Sequence, residues 1–467
     1  MREEVAAFEK KAGEVASILR EKLEGKTVDI FTHADADGIS ASSLFAMYLH
    51  LRGLPFRIKF SRPYGSKEMV ELGKSEGERF FIFLDQGSRE IPTLERAVTN
   101  RGHEVLILDH HPGQPTQDPR LLCLNPHLMG LNGAKEACAS TVVYSVVEKM
   151  ERRLRKEVWL ALVGALGDRQ ELPEGFTGVN ALLLRRALEE GVVEKKEGIK
   201  LLDREGVPAS ECLRISVRPY LPGISGNSVA SAEIPEKLGI PPSSSVEDLG
   251  EEGERRLCEA LLERLGFGEE MRGALWGTVY YLKDRSLPNL RKWAVALDAS
   301  DTYKRPEIGF AANLGDEEAR EECLLLLQGY QRRMLENMAW FSKNLPSFEV
   351  TPKARYVRVG REVPSSEMGE MLSLALESRL VEGDRPLIGF AESGEGEVKV
   401  SGRATFYLTS LGINIGRVMN EAARMVGGEG GGHDVSGAAY IPKDRMEDFV
   451  REVERCLPQP VLSRGGK

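Results

Sequence analysis

The stretch FTHADADGIS, residues 31–40, follows the apolar run Val28-Asp29-Ile30 and places His33, Asp35 and Asp37 at alternate positions before Gly38. In an extended segment alternate side chains share a face. An imidazole and two carboxylates therefore converge, and the carboxylates repel one another unless a cation sits among them. Two other readings stay open. A calcium loop counted from His33 puts Gly38 at its sixth position, but Leu44 at the twelfth, where such a loop needs a bidentate Glu. A helix N-cap accounts for one Asp and leaves the second Asp and the His without a role. The other ligands of a metal site have to come from elsewhere in the chain.

Outward from this stretch, the first 170 residues alternate strand and helix patterns. Strand candidates are TVDIFTH (27–33), PFRIKF (55–60), RFFIFLD (79–85), HEVLILD (103–109) and RLLCLN (120–125). SASSLFAMYLHLRG, SKEMVELGKSE and IPTLERAVTNRG lie between them with helical patterns. The alternation predicts an α/β domain with a mostly parallel sheet, whose chemistry gathers at the carboxyl ends of strands. We assign residues 1–204 to this domain, with 141–204 mainly helical. Residues 205–316, with the Pro- and Gly-punctuated RPYLPGISGNS, read as an α/β insert domain. Residues 317–345 read as one long connecting helix. Residues 346–467 read as a C-terminal α/β domain, with strands RYVRVG, PLIGFAE and VKVSGRAT and a closing Gly-rich loop.

Composition limits the function classes. A length of 467 residues suggests two to four domains, and 41% apolar with 29% charged residues fits a soluble globular chain. No run of 18 apolar residues occurs, and the first 25 residues form a charged amphipathic helix pattern rather than a signal peptide. The expected location is cytoplasmic, with no membrane partner. Six scattered cysteines with no C-x-x-C pair argue against a zinc ribbon and against a disulfide framework. The net charge of −9 does not advertise a nucleic-acid binder, yet it is uneven: residues 241–270 hold nine acids against three bases. The remainder is nearly balanced and has room for a local basic groove.

Two further strands end in the same chemistry as the first. RFFIFLD ends at Asp85, and HEVLILD ends at Asp109, followed at once by His110 and His111. The apolar run LALVGALGD ends at Asp168. An acid after a long apolar run needs a partner or a metal when it is buried. Of seven histidines, four (His33, His110, His111 and His433) fall in such motifs. Any one of them alone reads as a structural histidine; their joint placement does not.

H-A-D-A-D-G, D-Q-G, D-H-H and G-A-L-G-D, in this order, resemble the four motifs of the DHH phosphoesterases, and G-G-G-H at 430–433 resembles the signature of the DHH-associated domain. The resemblance covers roughly 1–180 and 346–467. Within the family the chain is most similar to the archaeal RecJ-like nucleases, including the GINS-associated nuclease. The resemblance implies two divalent ions, Mn²⁺ or Mg²⁺, with His33 and Asp35 on one, Asp37, His110 and Asp168 on the other, and Asp85 between them. It implies that Asp109 orients the histidine pair and that His111 faces the scissile phosphate. Mixed carboxylate and imidazole ligands suit manganese chemically. In the last domain, Gly430, Gly431, Gly432 and His433 would bring backbone N–H groups to a phosphate, with Ser401 and Arg403 as further phosphate contacts.

The expected activity is therefore 5′ to 3′ exonucleolysis of single-stranded DNA to mononucleotides in replication or repair, with RNA as a second candidate substrate. Two other classes compete: a phosphoesterase of very short oligonucleotides or nucleotide phosphates, and a scaffold of the replicative helicase. The GINS complex is the partner the resemblance suggests, with the acidic part of the insert as its docking surface; a solvated helix is the alternative reading of that segment. A location at the nucleoid would follow.

Overall fold

The computed structural model describes residues 2–458 except 62–63, 173–174, 269–270 and 395. Its described residues divide into two compact units, one within Met1–Leu202 and Trp276–Gly329, the other within Asp203–Leu275 and Tyr330–Lys467. The segment 205–316, expected as one insert, is thus divided between the two.

The first unit is built on five parallel strands: β1 (Val28–Thr32), β2 (Phe56–Phe60), β3 (Phe80–Leu84), β4 (Glu104–Leu108) and β5 (Leu121–Leu124), in the order β2-β1-β3-β4-β5. All five follow the apolar runs read from the sequence. Strand β3 is buried at every position, as the interior of a sheet covered on both faces requires. Phe31, Phe81, Phe83, Val105 and Ile107 pack with Met69, Ile91 and Leu94 from the short helices Ser66–Leu72 and Ile91–Ala97. On the other side the helices Glu3–Lys22, Ala36–Leu51 and Ala139–Met150 pack on one another and on the sheet. The register decides where the chemistry falls. Thr32 pairs with Leu84, and Leu84 with Leu108. The residues that follow, His33, Asp85 and Asp109, therefore leave the sheet side by side.

Residues 193–199 depart from the helical expectation. They form strand β6 (Val193–Ile199), antiparallel to β7 (Trp276–Leu282). The helix Gly178–Glu189 ends just before, and the apolar residues at the two ends of β6 are buried while its central charges stay in solvent. The rest of the expected insert is helical: Ala209–Ile215, Ser228–Lys237, Gly250–Leu265, Leu290–Thr302 and Pro306–Asn313 are its longer helices. Among the described residues β7 is its one named strand, so its α/β character is slight. In the acidic segment the helix Gly250–Leu265 buries Leu257, Cys258, Leu261 and Leu262. Glu254 turns inward onto the buried Arg204, while Glu251, Glu252, Glu259 and Glu263 face solvent. Glu269 and Glu270 lie outside the described residues. The long helix is Glu317–Asn344.

The second unit carries a mixed sheet of β8 (Glu349–Val350), β9 (Arg355–Gly360), β10 (Leu387–Gly394), β11 (Glu397–Arg403), β12 (Glu429–Gly432) and β13 (Ser436–Pro442), in the order β12-β13-β11-β10-β9-β8. The Gly-rich run expected as a loop is in part strand β12, paired with β13 from Glu429 to Gly432. Its glycines serve close packing. A Cβ on Gly430 would lie 2.6 Å from the carbonyl oxygen of Met419, and one on Gly416 would lie 2.3 Å from the carbonyl carbon of Gly432. The helix Ile415–Met425 can approach the sheet edge only because both positions lack side chains. All six cysteines are free, four of them buried.

Candidate metal centre

Each ligand candidate is delivered by the end of a regular element. His33 leaves β1, and two residues later Asp35 caps the helix Ala36–Leu51, its side chain accepting from the Gly38 amide at 3.0 Å. Asp37 lies in that helix's first turn. It is fixed by the start of another helix, Ala139–Met150: the Ala139 amide donates to its Oδ2 at 2.6 Å and the Ser140 amide to its Oδ1 at 2.8 Å. Asp85 follows β3 with φ of 59°, a left-handed conformation that Asp tolerates better than most residues. Asp168 is the C-cap of the helix Val158–Gly167.

Three groups of side chains have ligand atoms mutually within 4.8 Å: His33, Asp35 and Asp85; Asp85, His110 and His111; Asp37, His110 and Asp168. Asp85 and His110 each belong to two groups. His33 Nδ1 is 2.9 Å from Asp85 Oδ2, and His110 Nε2 is 3.2 Å from Asp85 Oδ1 and 3.5 Å from Asp168 Oδ2. The Nδ1 of His110 donates to the Gly133 carbonyl at 2.6 Å. That bond turns Nε2 toward the carboxylates and leaves it the ligand atom, the usual arrangement for a metal-binding imidazole.

Asp109 has a different environment. Its Oδ1 accepts from the amides of His110 at 2.7 Å and His111 at 3.1 Å and contacts His111 Nδ1 at 2.8 Å; its Oδ2 accepts from the Ser88 amide at 3.1 Å. With its oxygens so committed, it holds the strand end and the His111 ring in place.

The charges are strongly perturbed. Burial works against a charged His33, but Asp85, with Asp35 and Asp109 behind it, holds the imidazolium up at about 10. Burial and the Asp85 charge push Asp37 up, and burial and Asp37 push Asp168 up. Burial also penalises the Asp85 charge, yet the surrounding imidazoles, His33 foremost, hold it well below the ordinary carboxylate range. Asp109 is likewise penalised by burial and held at about 2 by His111. Acids and imidazoles thus share protons in a space that a divalent cation would neutralise instead, releasing those protons. Among the described residues the buried Nε2 of His33 has no hydrogen-bond partner, and Asp85 Oδ1 faces only the imidazole nitrogens of His110 and His111. An unpartnered buried nitrogen inside a cluster of oxygen and imidazole donors, without a thiolate, fits a divalent cation.

The phosphate-binding candidates lie in the second unit. Ser401 and Arg403 occur on alternate positions of β11, on the face toward the helix Ser365–Glu377: a Cβ on Gly369 would lie 2.5 Å from Arg403 Nη2 and 3.6 Å from Ser401 Oγ. Arg403 donates from Nε to Ser373 Oγ at 2.8 Å and from Nη1 to the Gly402 carbonyl at 2.9 Å. Arg403 pairs in register with Ser436, and Gly432 with Gly437. The end of β11, the Gly430–Gly432 strand and the exposed His433 therefore share one end of this sheet.

Several contributors carry no signal in the sequence. Gln170 donates to the Gly133 carbonyl at 2.9 Å and approaches Asp168 Oδ2 at 3.5 Å. Asn125 ties Ser88 Oγ to the His111 carbonyl, both at 2.8 Å. Gly164 lets Asp37 and Ser140 meet. Most of their partners are tens of residues away, so nothing local marks them; the run D-R-Q that begins at Asp168 is the one cue for Gln170. Phe406 and Tyr407, 73% and 63% exposed just after Arg403, are aromatic faces that the sequence reading did not single out.

The DHH family, N-terminal domain, matches residues 27–166, and the DHHA1 domain matches residues 354–459. An uncharacterized protein of Methanocaldococcus jannaschii is 24% identical over 460 residues, 96% of this chain and 98% of its own. RecJ of Thermus thermophilus, solved in complex with Mn²⁺, is similar with a TM-score of 0.58 at 20% identity over 97% of this chain. The chain spans 56% of that RecJ. CDC45 of Entamoeba histolytica is similar with a TM-score of 0.67 at 14% identity, covering 95% of this chain and 99% of its own. At such identities the structural likenesses speak for the fold. The chain thus carries a match to the DHH family, N-terminal domain, followed by a match to the DHHA1 domain, on a fold similar to that of RecJ.

Proposed function

We propose that the chain is a metal-dependent exonuclease that hydrolyses the phosphodiester bonds of single-stranded DNA from the 5′ end to mononucleotides, acts on RNA by the same site, and works in DNA replication or repair. The observation that carries this reading is the set of three ligand groups joined through Asp85 and His110. Two divalent ions, Mn²⁺ or Mg²⁺, would supply an activated water and neutralise charge on the phosphoryl oxygens. His33, Asp35 and Asp85 would hold one, and Asp37, His110 and Asp168 the other. His111, oriented by Asp109, donates a hydrogen bond or proton at the scissile phosphate. Ser401, Arg403, His433 and the Gly430–Gly432 amides take a substrate phosphate, and Phe406 and Tyr407 offer stacking faces for bases.

A scaffold reading draws support from the likeness to CDC45. The filled ligand set speaks against scaffolding alone, since buried carboxylates in such numbers are costly without a cation. The two roles are compatible, with the exposed acids of the Gly250–Leu265 helix as the surface for a replication partner such as GINS. The test is Mn²⁺-dependent digestion of long single-stranded DNA labelled at either end, beside Asp37→Ala. Mononucleotides released progressively from the 5′ end and lost in the variant are expected. Cleavage restricted to oligomers of a few nucleotides would replace the proposal with a small-substrate phosphoesterase, and no cleavage of either would leave the scaffold.

A further inference from the structure

The amide of Ala36 lies between two candidate ligands, Asp35 and Asp37. As the first residue of a helix, Ala36 has no intrahelical acceptor for its N–H. Asp35 caps the same helix but directs its Oδ1 to Gly38. The Ala36 amide donates instead to Asp298 Oδ1 at 2.9 Å. Asp298 belongs to the helix Leu290–Thr302, 262 residues further along and beyond the residues matched by the DHH domain.

The contact is part of a wider attachment. Asn313 donates to Ser43 Oγ at 3.3 Å, on the helix that Ala36 begins, and accepts from Trp293 Nε1 at 3.0 Å. Ala36 is also confined from another side: a Cβ on Gly167 would lie 2.6 Å from the Ala36 Cβ. Gly167 immediately precedes Asp168. Any shift of the Ala36 peptide moves the neighbouring Asp35 and Asp37 together, because consecutive Cα atoms are rigidly linked at about 3.8 Å. Water could satisfy a helix-terminal amide at lower electrostatic cost than a carboxylate beside other carboxylates. The choice of a carboxylate here is explained if the bond serves the ligands.

We propose that Asp298 is a positioning residue for the metal centre: its hydrogen bond to the Ala36 amide sets the placement of Asp35 and Asp37 toward a divalent cation. This rests on the reading of His33, Asp35, Asp37, Asp85, His110 and Asp168 as metal ligands. The test is Mn²⁺ titration of the full chain by calorimetry, with melting in EDTA measured separately. Asp298→Ala is expected to weaken Mn²⁺ binding about tenfold or more, whereas Asp298→Asn, which keeps an oxygen acceptor in place, stays within about threefold of wild type. A merely structural residue would lower the EDTA melting temperature without this affinity pattern. Should Asp298→Ala not fold, Asp298→Glu takes its place: it keeps the charge, displaces the acceptor, and is expected to lose affinity. Wild-type Mn²⁺ affinity in Asp298→Ala, or in Asp298→Glu where that stands in for it, overturns the proposal, and so does an Asp298→Asn loss as large as theirs. Asp85→Ala separates the two readings. If wild type fails to bind Mn²⁺, the metal reading falls and this one with it. If binding is lost in Asp85→Ala but intact in Asp298→Ala, the positioning role alone falls.

Discussion

Replacing Gly164 by alanine sets helix propensity against the metal centre. Gly164 lies inside the helix Val158–Gly167, where alanine is favoured by about 1 kcal/mol on propensity alone. Its Cβ, however, would lie 2.1 Å from Ser140 Oγ and 2.4 Å from Asp37 Oδ1, roughly 1 Å inside ordinary van der Waals contact. Overpacking of this kind costs about 1–3 kcal/mol. Relief requires Ser140 or Asp37 to move, and Asp37 is held by two buried amides. Losing one hydrogen bond to a charged group costs roughly 1.5–3 kcal/mol more. The net expectation is a destabilisation of roughly 2–5 kcal/mol, or a fall in melting temperature of about 5–15 °C for a unit of this size, with weakened Mn²⁺ binding because a ligand is displaced. Gly13→Ala is the matched control in the same unit. It lies in the helix Glu3–Lys22 and its Cβ would meet only Lys149 Cδ at 3.8 Å, so a gain of about 0.5–1 kcal/mol is expected. Thermal melts in EDTA and in Mn²⁺ read both variants. If Gly164→Ala is as stable as wild type and binds Mn²⁺ equally well, the close approach of Asp37, Ser140 and this helix is not what builds the site.

Three further outcomes are expected. Mn²⁺ at a hundredfold excess over its dissociation constant should stabilise the folded chain by about 2.7 kcal/mol, and Asp85→Asn should abolish that gain, since Asp85 belongs to two ligand groups; a variant that still melts higher in Mn²⁺ would contradict the shared role. Asp109, held at about 2 against roughly 3.9 in an unfolded chain, contributes about 2–3 kcal/mol that is present above pH 4 and is lost as pH falls toward 2. Urea melts in EDTA should therefore show the stability gap between wild type and Asp109→Asn shrinking from pH 5 to pH 2, and a gap that stays constant would refute the assignment. Arg403→Ala should raise KM for single-stranded DNA about tenfold with little change in kcat, and Arg403→Lys should recover only part of it, because an ammonium cannot reproduce a bidentate guanidinium contact; an unchanged KM in Arg403→Ala removes Arg403 from substrate binding.

The parallel strands and the residues that follow them are legible in the sequence because each signal is local. Runs such as Phe80–Leu84 are apolar at every position, and an acid or histidine directly after such a run has to leave the sheet at its carboxyl end. The segment 193–199 defeats the same reading for the complementary reason. VEKKEGI holds its charges in the middle and its apolar residues at the ends, so it has neither a helical stripe nor a strict alternation. It becomes a strand by pairing with β7, which begins 77 residues after Ile199. The Gly-rich run is similar: glycine reads as loop, yet Gly430 is glycine because a helix backbone lies against it.

By itself the sequence determined which residue types stand at the ends of which elements, since hydrophobic period and the chemistry of His33, Asp85, Asp109, His110 and Asp168 are written along the chain. Only the tertiary structure decided what holds them. Asp37 rests on the amides of Ala139 and Ser140, His110 on the carbonyl of Gly133, and the Ala36 peptide on Asp298. Those contacts span separations of 23 to 262 residues. Backbone amides and carbonyls are present at nearly every position, so the sequence cannot say which of them will face a given side chain until packing has placed them.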